Sequence, residues 1–174
     1  MNLNERAKRI KLFIMDVDGV LTDGRLYYTE KGEDIKVFNV RDGLGIKLLQ
    51  QANVKTAVIS GRNSNPLYRR LSELGIDEVY LGYNEKLPIL EDLTKKHSID
   101  CEDVAFIGDD YVDIPIMKRV GFPIAVRNAS RKVRDICLYV TKARGGDGAV
   151  REAIEYLLDL RGELENLLKT YYGL

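Results

Sequence analysis

The chain has 174 residues, enough for one hydrophobic core and too few for two, so a single domain over residues 1–174 with one site is expected. Its 27 lysines and arginines are matched by 27 aspartates and glutamates, which leaves none of the basic excess that a nucleic-acid or anionic-membrane binder carries. The expected partner is a small molecule or another protein chain. No apolar run approaches the roughly 20 residues of a membrane helix, and residues 1–10 lack a signal-peptide core, so the expectation is a cytoplasmic protein. Cys101 and Cys137 have no companions at metal-ligand spacing and read as reduced, buried thiols. His97, the only histidine, ends a polar stretch, Lys95-Lys96-His97-Ser98, and has no partners for a histidine metal site.

In chain order, Lys11-Leu12-Phe13-Ile14-Met15 is a short apolar run ending in Asp and Gly, the pattern of a buried parallel strand that feeds a loop. Leu26-Tyr27-Tyr28-Thr29 and Ile35-Lys36-Val37-Phe38 flank a Gly-containing turn and predict a hairpin within residues 24–39. Helical spacing at residues 44–49 leads to the run Thr56-Ala57-Val58-Ile59, which ends at Ser60-Gly61. A helix over 67–74, opened by Pro66, leads to Glu78-Val79-Tyr80-Leu81. A helix over 87–93 then leads to Val104-Ala105-Phe106-Ile107, which ends at Gly108-Asp109-Asp110. A helix over 114–120 and two weaker runs, at 122–126 and 137–140, follow. A C-terminal helix and tail cover 148–174, with Gly162 as a break. Strands alternating with helices predict an α/β fold: a doubly wound, mainly parallel, Rossmann-like sheet flanked by helices, with its ligand site beyond the carboxyl ends of the strands.

Asp16-Val17-Asp18-Gly19 is the strongest chemical feature. Two carboxylates one residue apart at the end of a buried strand repel each other unless a cation or a proton intervenes. With oxygen donors and no imidazole or thiolate, the cation is Mg2+ rather than zinc. An EF-hand fails, because its loop needs glycine where Leu21 stands; a plain Asp-Gly turn is the bland alternative. Ser60 after the second strand, Lys86 at a helix start, and Asp109, Asp110 and Asp113 after the fourth would add a hydroxyl, a cation and further carboxylates at the same sheet edge. Such a set suits phosphoryl transfer, whose transition state is stabilised mainly by positioning and charge neutralisation. A receiver domain has the opposite layout, with its phosphoacceptor on the third strand.

Asp16-Val17-Asp18-Gly19-Val20-Leu21-Thr22, Ser60, Lys86 and Gly108-Asp109-Asp110, in that order, resemble the four motifs of the haloacid dehalogenase superfamily. The resemblance implies that Asp16 is the nucleophile and Asp18 the general acid, then base. It further implies that Ser60, Gly61 and Lys86 hold the phosphoryl oxygens. Asp16, the Asp18 backbone carbonyl and Asp109 would bind Mg2+, with Asp110 and Asp113 in support. The intervals between motifs leave no room for a cap domain, so neighbouring subunits are expected to close the site.

A narrower likeness runs almost end to end. Residues 16–24, Gly32-Glu33, Phe38-Asn39-Val40-Arg41-Asp42-Gly43, Ile59-Ser60-Gly61-Arg62 and residues 145–152 resemble the 3-deoxy-D-manno-octulosonate 8-phosphate (KDO 8-phosphate) phosphatase family. That likeness implies a capless homotetramer with sites near subunit interfaces, the hairpin in the oligomer core and the C-terminal tail reaching toward a neighbour's site. Its reaction would release KDO and phosphate on the route to lipopolysaccharide. Arg62 is the candidate for the sugar-acid carboxylate, with Arg41 and Thr22 as further substrate contacts. Two alternatives remain: a phosphatase of another acid sugar phosphate, such as a sialic-acid 9-phosphate, and a non-catalytic oligomerisation module.

Overall fold

The computed structural model describes residues 1–174, apart from the side chains of Glu33 and Asp34. Helix α1 (Leu3–Arg9) opens with a capping box in which Asn2 and Glu5 each accept the other's backbone N–H, at 2.9 and 2.8 Å. It leads into β1 (Leu12–Met15), whose four residues are all buried. The hairpin strands β2 (Tyr27–Thr29) and β3 (Gly32–Ile35) follow. The other strands are β4 (Lys55–Ser60), β5 (Glu78–Leu81), β6 (Val104–Gly108), β7 (Phe122–Ala125) and β8 (Tyr139–Val140). The longer helices are α2 (Val40–Gln51), α3 (Asn65–Leu74), α4 (Lys86–His97), α7 (Ala149–Arg161) and α8 (Leu164–Tyr172), with short α5 (Ile114–Met117) and α6 (Arg131–Arg134) between β6 and β8.

The main sheet has the order β5-β4-β1-β6-β7-β8, and every pairing is parallel. The apolar runs account for this. A strand covered by helices on both faces has no polar side to alternate with, and Phe13, Ile14, Met15, Ile59, Phe106 and Phe122 are all fully buried. From β1 the chain winds outward through β4 and β5, then returns to β6 on the other side of β1. The loops after β1, β4 and β6 therefore open onto one crevice at the switch point.

Two sequence expectations shift. The second hairpin strand begins at Gly32 and ends at Ile35, where the reading by residue type started it. Beyond Ile35 the chain turns inward and buries the Lys36 side chain, which is only 1% exposed. His97, read as the end of a polar stretch, is tied with Lys96 to Glu78 at the opposite edge of the sheet, at 2.9 and 2.7 Å. That places it away from the crevice. Gly162 ends α7 in a left-handed conformation, φ 73°, and α8 begins two residues later.

The segment 143–146 packs against the loop that follows β1. Glu152 on α7 gathers it by accepting the Lys142 and Ala143 amides, each at 2.8 Å, and the Tyr139 hydroxyl at 2.7 Å. The Asn128 side chain accepts the Gly145 amide at 2.8 Å, and Gly146 donates to the Val20 carbonyl at 2.9 Å. A Cβ on Gly145 would collide with the Gly19 carbonyl and approach the Val20 amide, backbone atoms that cannot swing aside. Gly145→Ala is therefore expected to cost about 2 kcal/mol in urea denaturation. An unchanged midpoint would show that the two loops are not in tight contact.

Candidate active site

Asp16, Ser60 and Asp109 each stand at or one residue past the end of a strand. The Asp16 amide donates to the Ile107 carbonyl at 3.0 Å, carrying the β1–β6 ladder one step past β1 and aiming the carboxylate over the sheet edge. Gly19 then turns the chain in a left-handed conformation, φ 94°, and a Cβ there would run into the Asp109 carboxylate. At the end of β6, Gly108 leaves space that a Cβ would contest with the Asp113 carboxylate.

Lys86, on the first turn of α4, lies between two acids. Its Nζ is 2.6 Å from Asp16 Oδ1 and 2.6 Å from Asp113 Oδ1. The Lys86 side chain is 3% exposed and that of Asp113 0%. The second Asp113 oxygen accepts the Asp109 amide at 2.9 Å and the Asp110 amide at 3.3 Å, so this carboxylate also shapes the turn that presents Asp109. Oxygens of Asp16, Asp109 and Asp113 all lie within 4.8 Å of one another.

Three carboxylates crowding one ammonium leave two negative charges uncompensated when all are ionised. The acidities reflect this imbalance. Burial pushes Asp16 up to about 6, with Lys86 opposing and Asp113 adding to the rise. Burial, then the charges of Asp16, Asp113 and Asp110, push Asp109 up to about 8. Lys86 is raised, because its two acid partners outweigh the burial that acts against its charge. An all-oxygen donor set carrying two surplus negative charges fits a hard divalent cation.

Around this cluster lies a cavity of about 400 Å³ lined by Asp16, Asp18, Ser60, Gly61, Arg62, Tyr83, Asn84, Lys86, Asp109, Asp110 and Val112. Ser60, 1% exposed, accepts the Arg62 amide on its hydroxyl at 3.2 Å. The Arg62 guanidinium reaches the Tyr28 hydroxyl at 3.2 Å and stands 3.9 Å from Asp18. The Asp110 carboxylate, besides facing the cavity, caps the turn at Tyr111–Asp113.

Thr22 is corrected. Its hydroxyl is buried within its own loop, taking the Gly19 and Gly24 amides at 3.4 and 3.2 Å and donating to the Val17 carbonyl at 3.4 Å. It braces the loop and leaves no donor for a substrate. Arg41 is exposed at the start of α2 and is absent from the cavity lining. Three residues were missed. Tyr83 and Asn84 line the cavity from the loop after β5, and their closeness in sequence to Lys86 was the available clue. Lys36 makes an ion pair with Asp18, and in a strand-like run nothing distinguishes such a lysine from a solvated one.

A doubly wound sheet whose first strand ends in paired aspartates, facing a lysine and a second acidic loop across the switch point, defines a haloacid dehalogenase-like hydrolase. Residues 85–154 match the haloacid dehalogenase-like hydrolase family. The 3-deoxy-D-manno-octulosonate 8-phosphate phosphatase KdsC of Escherichia coli K12 is 42% identical over 92% of this chain and 85% of its own length. The Haemophilus influenzae protein of the same name is 44% identical over 92% and 89%. A crystal structure of the Moraxella catarrhalis phosphatase, in complex with magnesium, phosphate and KDO, superposes with a TM-score of 0.93 at 41% identity, covering 97% of each chain. The chain belongs to the 3-deoxy-D-manno-octulosonate 8-phosphate phosphatase family.

The two raised acids make a prediction about stability. A carboxyl whose folded value exceeds its ordinary 3.8 favours the fold while it is protonated. Its contribution is complete below about 3.8 and is lost as pH rises through 6 for Asp16 and 8 for Asp109. Metal-stripped protein is expected to melt at a lower temperature at about pH 9 than at about pH 5, and Mg2+ to raise the melting temperature more at the higher pH. A Mg2+ effect equal at both pH values would count against a cation site on these carboxylates.

Proposed function

We propose that the protein is a Mg2+-dependent phosphomonoester hydrolase that converts KDO 8-phosphate to KDO and phosphate, a step toward lipopolysaccharide, through an aspartyl-phosphate intermediate. The observation that carries this reading is the buried cluster of Asp16, Asp109 and Asp113 around Lys86 at the sheet's carboxyl edge. The 41–44% identity to KDO 8-phosphate phosphatases supports the choice of substrate.

Asp16, the last residue before the β1 loop, attacks phosphorus with a carboxylate oxygen as the bond to the leaving sugar oxygen breaks. Asp18 gives that oxygen a proton, and later takes one from the water that cleaves the aspartyl phosphate. The Ser60 hydroxyl, the Gly61 amide and the Lys86 ammonium hold the phosphoryl oxygens. Mg2+, held by Asp16, Asp109 and the Asp18 backbone carbonyl, would neutralise charge on the phosphoryl group and let these acids stay ionised together. Asp110 and Asp113 support that arrangement by shaping the turn.

Arg62 lies at the cavity mouth, 45% exposed, and presents a planar fork suited to the sugar-acid carboxylate. The exposed apolar side chains Tyr27, Tyr28, Ile35, Val37, Val40 and Leu44 supply a surface for subunit contact, and a homotetramer with sites near its interfaces is part of this reading. No helix among the described residues is long and apolar enough to cross a membrane, which accords with a cytoplasmic enzyme.

Asp16→Asn, assayed at saturating Mg2+, is expected to lower phosphate release by at least about a thousandfold while the fold, read by circular dichroism, stays intact; substantial turnover would remove Asp16 from the nucleophile role. On a panel of acid sugar phosphates, kcat/KM is expected to be highest for KDO 8-phosphate. A clear preference for a sialic-acid 9-phosphate would overturn the assigned substrate.

A further inference from the structure

The geometry points to Lys36 as a positioning residue that decides which oxygen of Asp18 meets the substrate. Lys36 leaves the hairpin just after β3, and its ammonium donates to Asp18 Oδ1. Its side chain is 1% exposed, whereas that of Asp18 is 22% exposed and faces the cavity. A lysine that merely anchored the hairpin would extend its ammonium to water. Burying one is expensive without a partner, and here a partner is the carboxylate proposed to move the proton.

The other Asp18 oxygen, Oδ2, faces Arg62, whose Nε is 3.9 Å away and whose Nη1 is held by the Tyr28 hydroxyl at 3.2 Å. The hairpin thus reaches both sides of one carboxylate, directly through Lys36 and indirectly through Tyr28. With Oδ1 occupied, the proton delivered to the leaving oxygen comes from Oδ2. Lys36 limits rotation of the carboxylate, so the proton lies on the substrate side when the phosphorus–oxygen bond breaks and that bond's electron pair goes to the leaving oxygen. Lys36 itself neither gives nor takes a proton in this step. The inference rests on the reading of Asp18 as acid and base.

The test compares wild type, Lys36→Met and Lys36→Arg by kcat/KM on two esters: KDO 8-phosphate, whose alkoxide leaving group needs a proton, and para-nitrophenyl phosphate, whose phenolate leaves without one. This ratio reports the steps through transfer to Asp16, so it isolates the acid role from the later hydrolysis. For Lys36→Met, a loss of about a hundredfold on the sugar phosphate is expected, against less than about threefold on the aryl ester. Lys36→Arg should recover most of the difference, and melting temperature and Mg2+ affinity should stay near wild type. Equal losses on both esters, or no loss on the sugar phosphate, would overturn the role given to Lys36. If wild type with Mg2+ hydrolyses neither ester, the proposed phosphatase function itself fails.

Discussion

The bridge from Asp16 through Lys86 to Asp113 is the constraint on which the site depends. Like charges at this spacing in a partly dry crevice raise one another's energy, and a single buried ammonium, 2.6 Å from each of two of them, makes the cluster tolerable. Asp113 can then be fully buried and use its second oxygen to hold the Asp109–Asp110 turn. Asp109 has no such direct cation, and accordingly burial and its acidic neighbours push it up further than Asp16. The surplus charge that remains is what a divalent ion relieves.

That bridge requires three chain segments to stop at one level. Because β1 pairs with β6 in a register that runs on through the Asp16 amide, Asp16 and Asp109 are carried to the same edge. Glycines then permit approaches that a side chain would block: Gly19 against Asp109, Gly108 against Asp113, and Gly145 against the carbonyl of Gly19. The site is therefore held by close approaches of loop backbone to carboxylates and to a second loop, which is how a catalytic constellation keeps a narrow geometry.

The hairpin adds a second control. It is a two-stranded sheet apart from the main one, yet Lys36 and Tyr28 tie it to Asp18 and Arg62. A segment that exposes Tyr27, Ile35 and Val37 is thus connected to the proposed acid. Whatever packs on the outside of the hairpin bears on the same side chains that face the cavity.

Much of this was legible in the residues alone. The runs at 12–15, 57–59 and 104–107 are apolar at every position because buried parallel strands have no solvent face, so their order and the loops after them followed from composition. Asp16, Asp18, Ser60, Lys86 and Asp109 could be assigned to one edge because each comes at or just beyond the end of a strand or at the start of a helix. What only the tertiary structure decided is where side chains that are ambiguous by type end up. Thr22 turns into its loop instead of the cavity, Asp113 becomes a fully buried partner of Lys86, and Lys36 turns inward to Asp18. Local pattern reports how often a residue type is buried, whereas the burial of one lysine or one threonine depends on a partner that lies distant in the chain or in the path of a loop, and only the folded packing brings the two together.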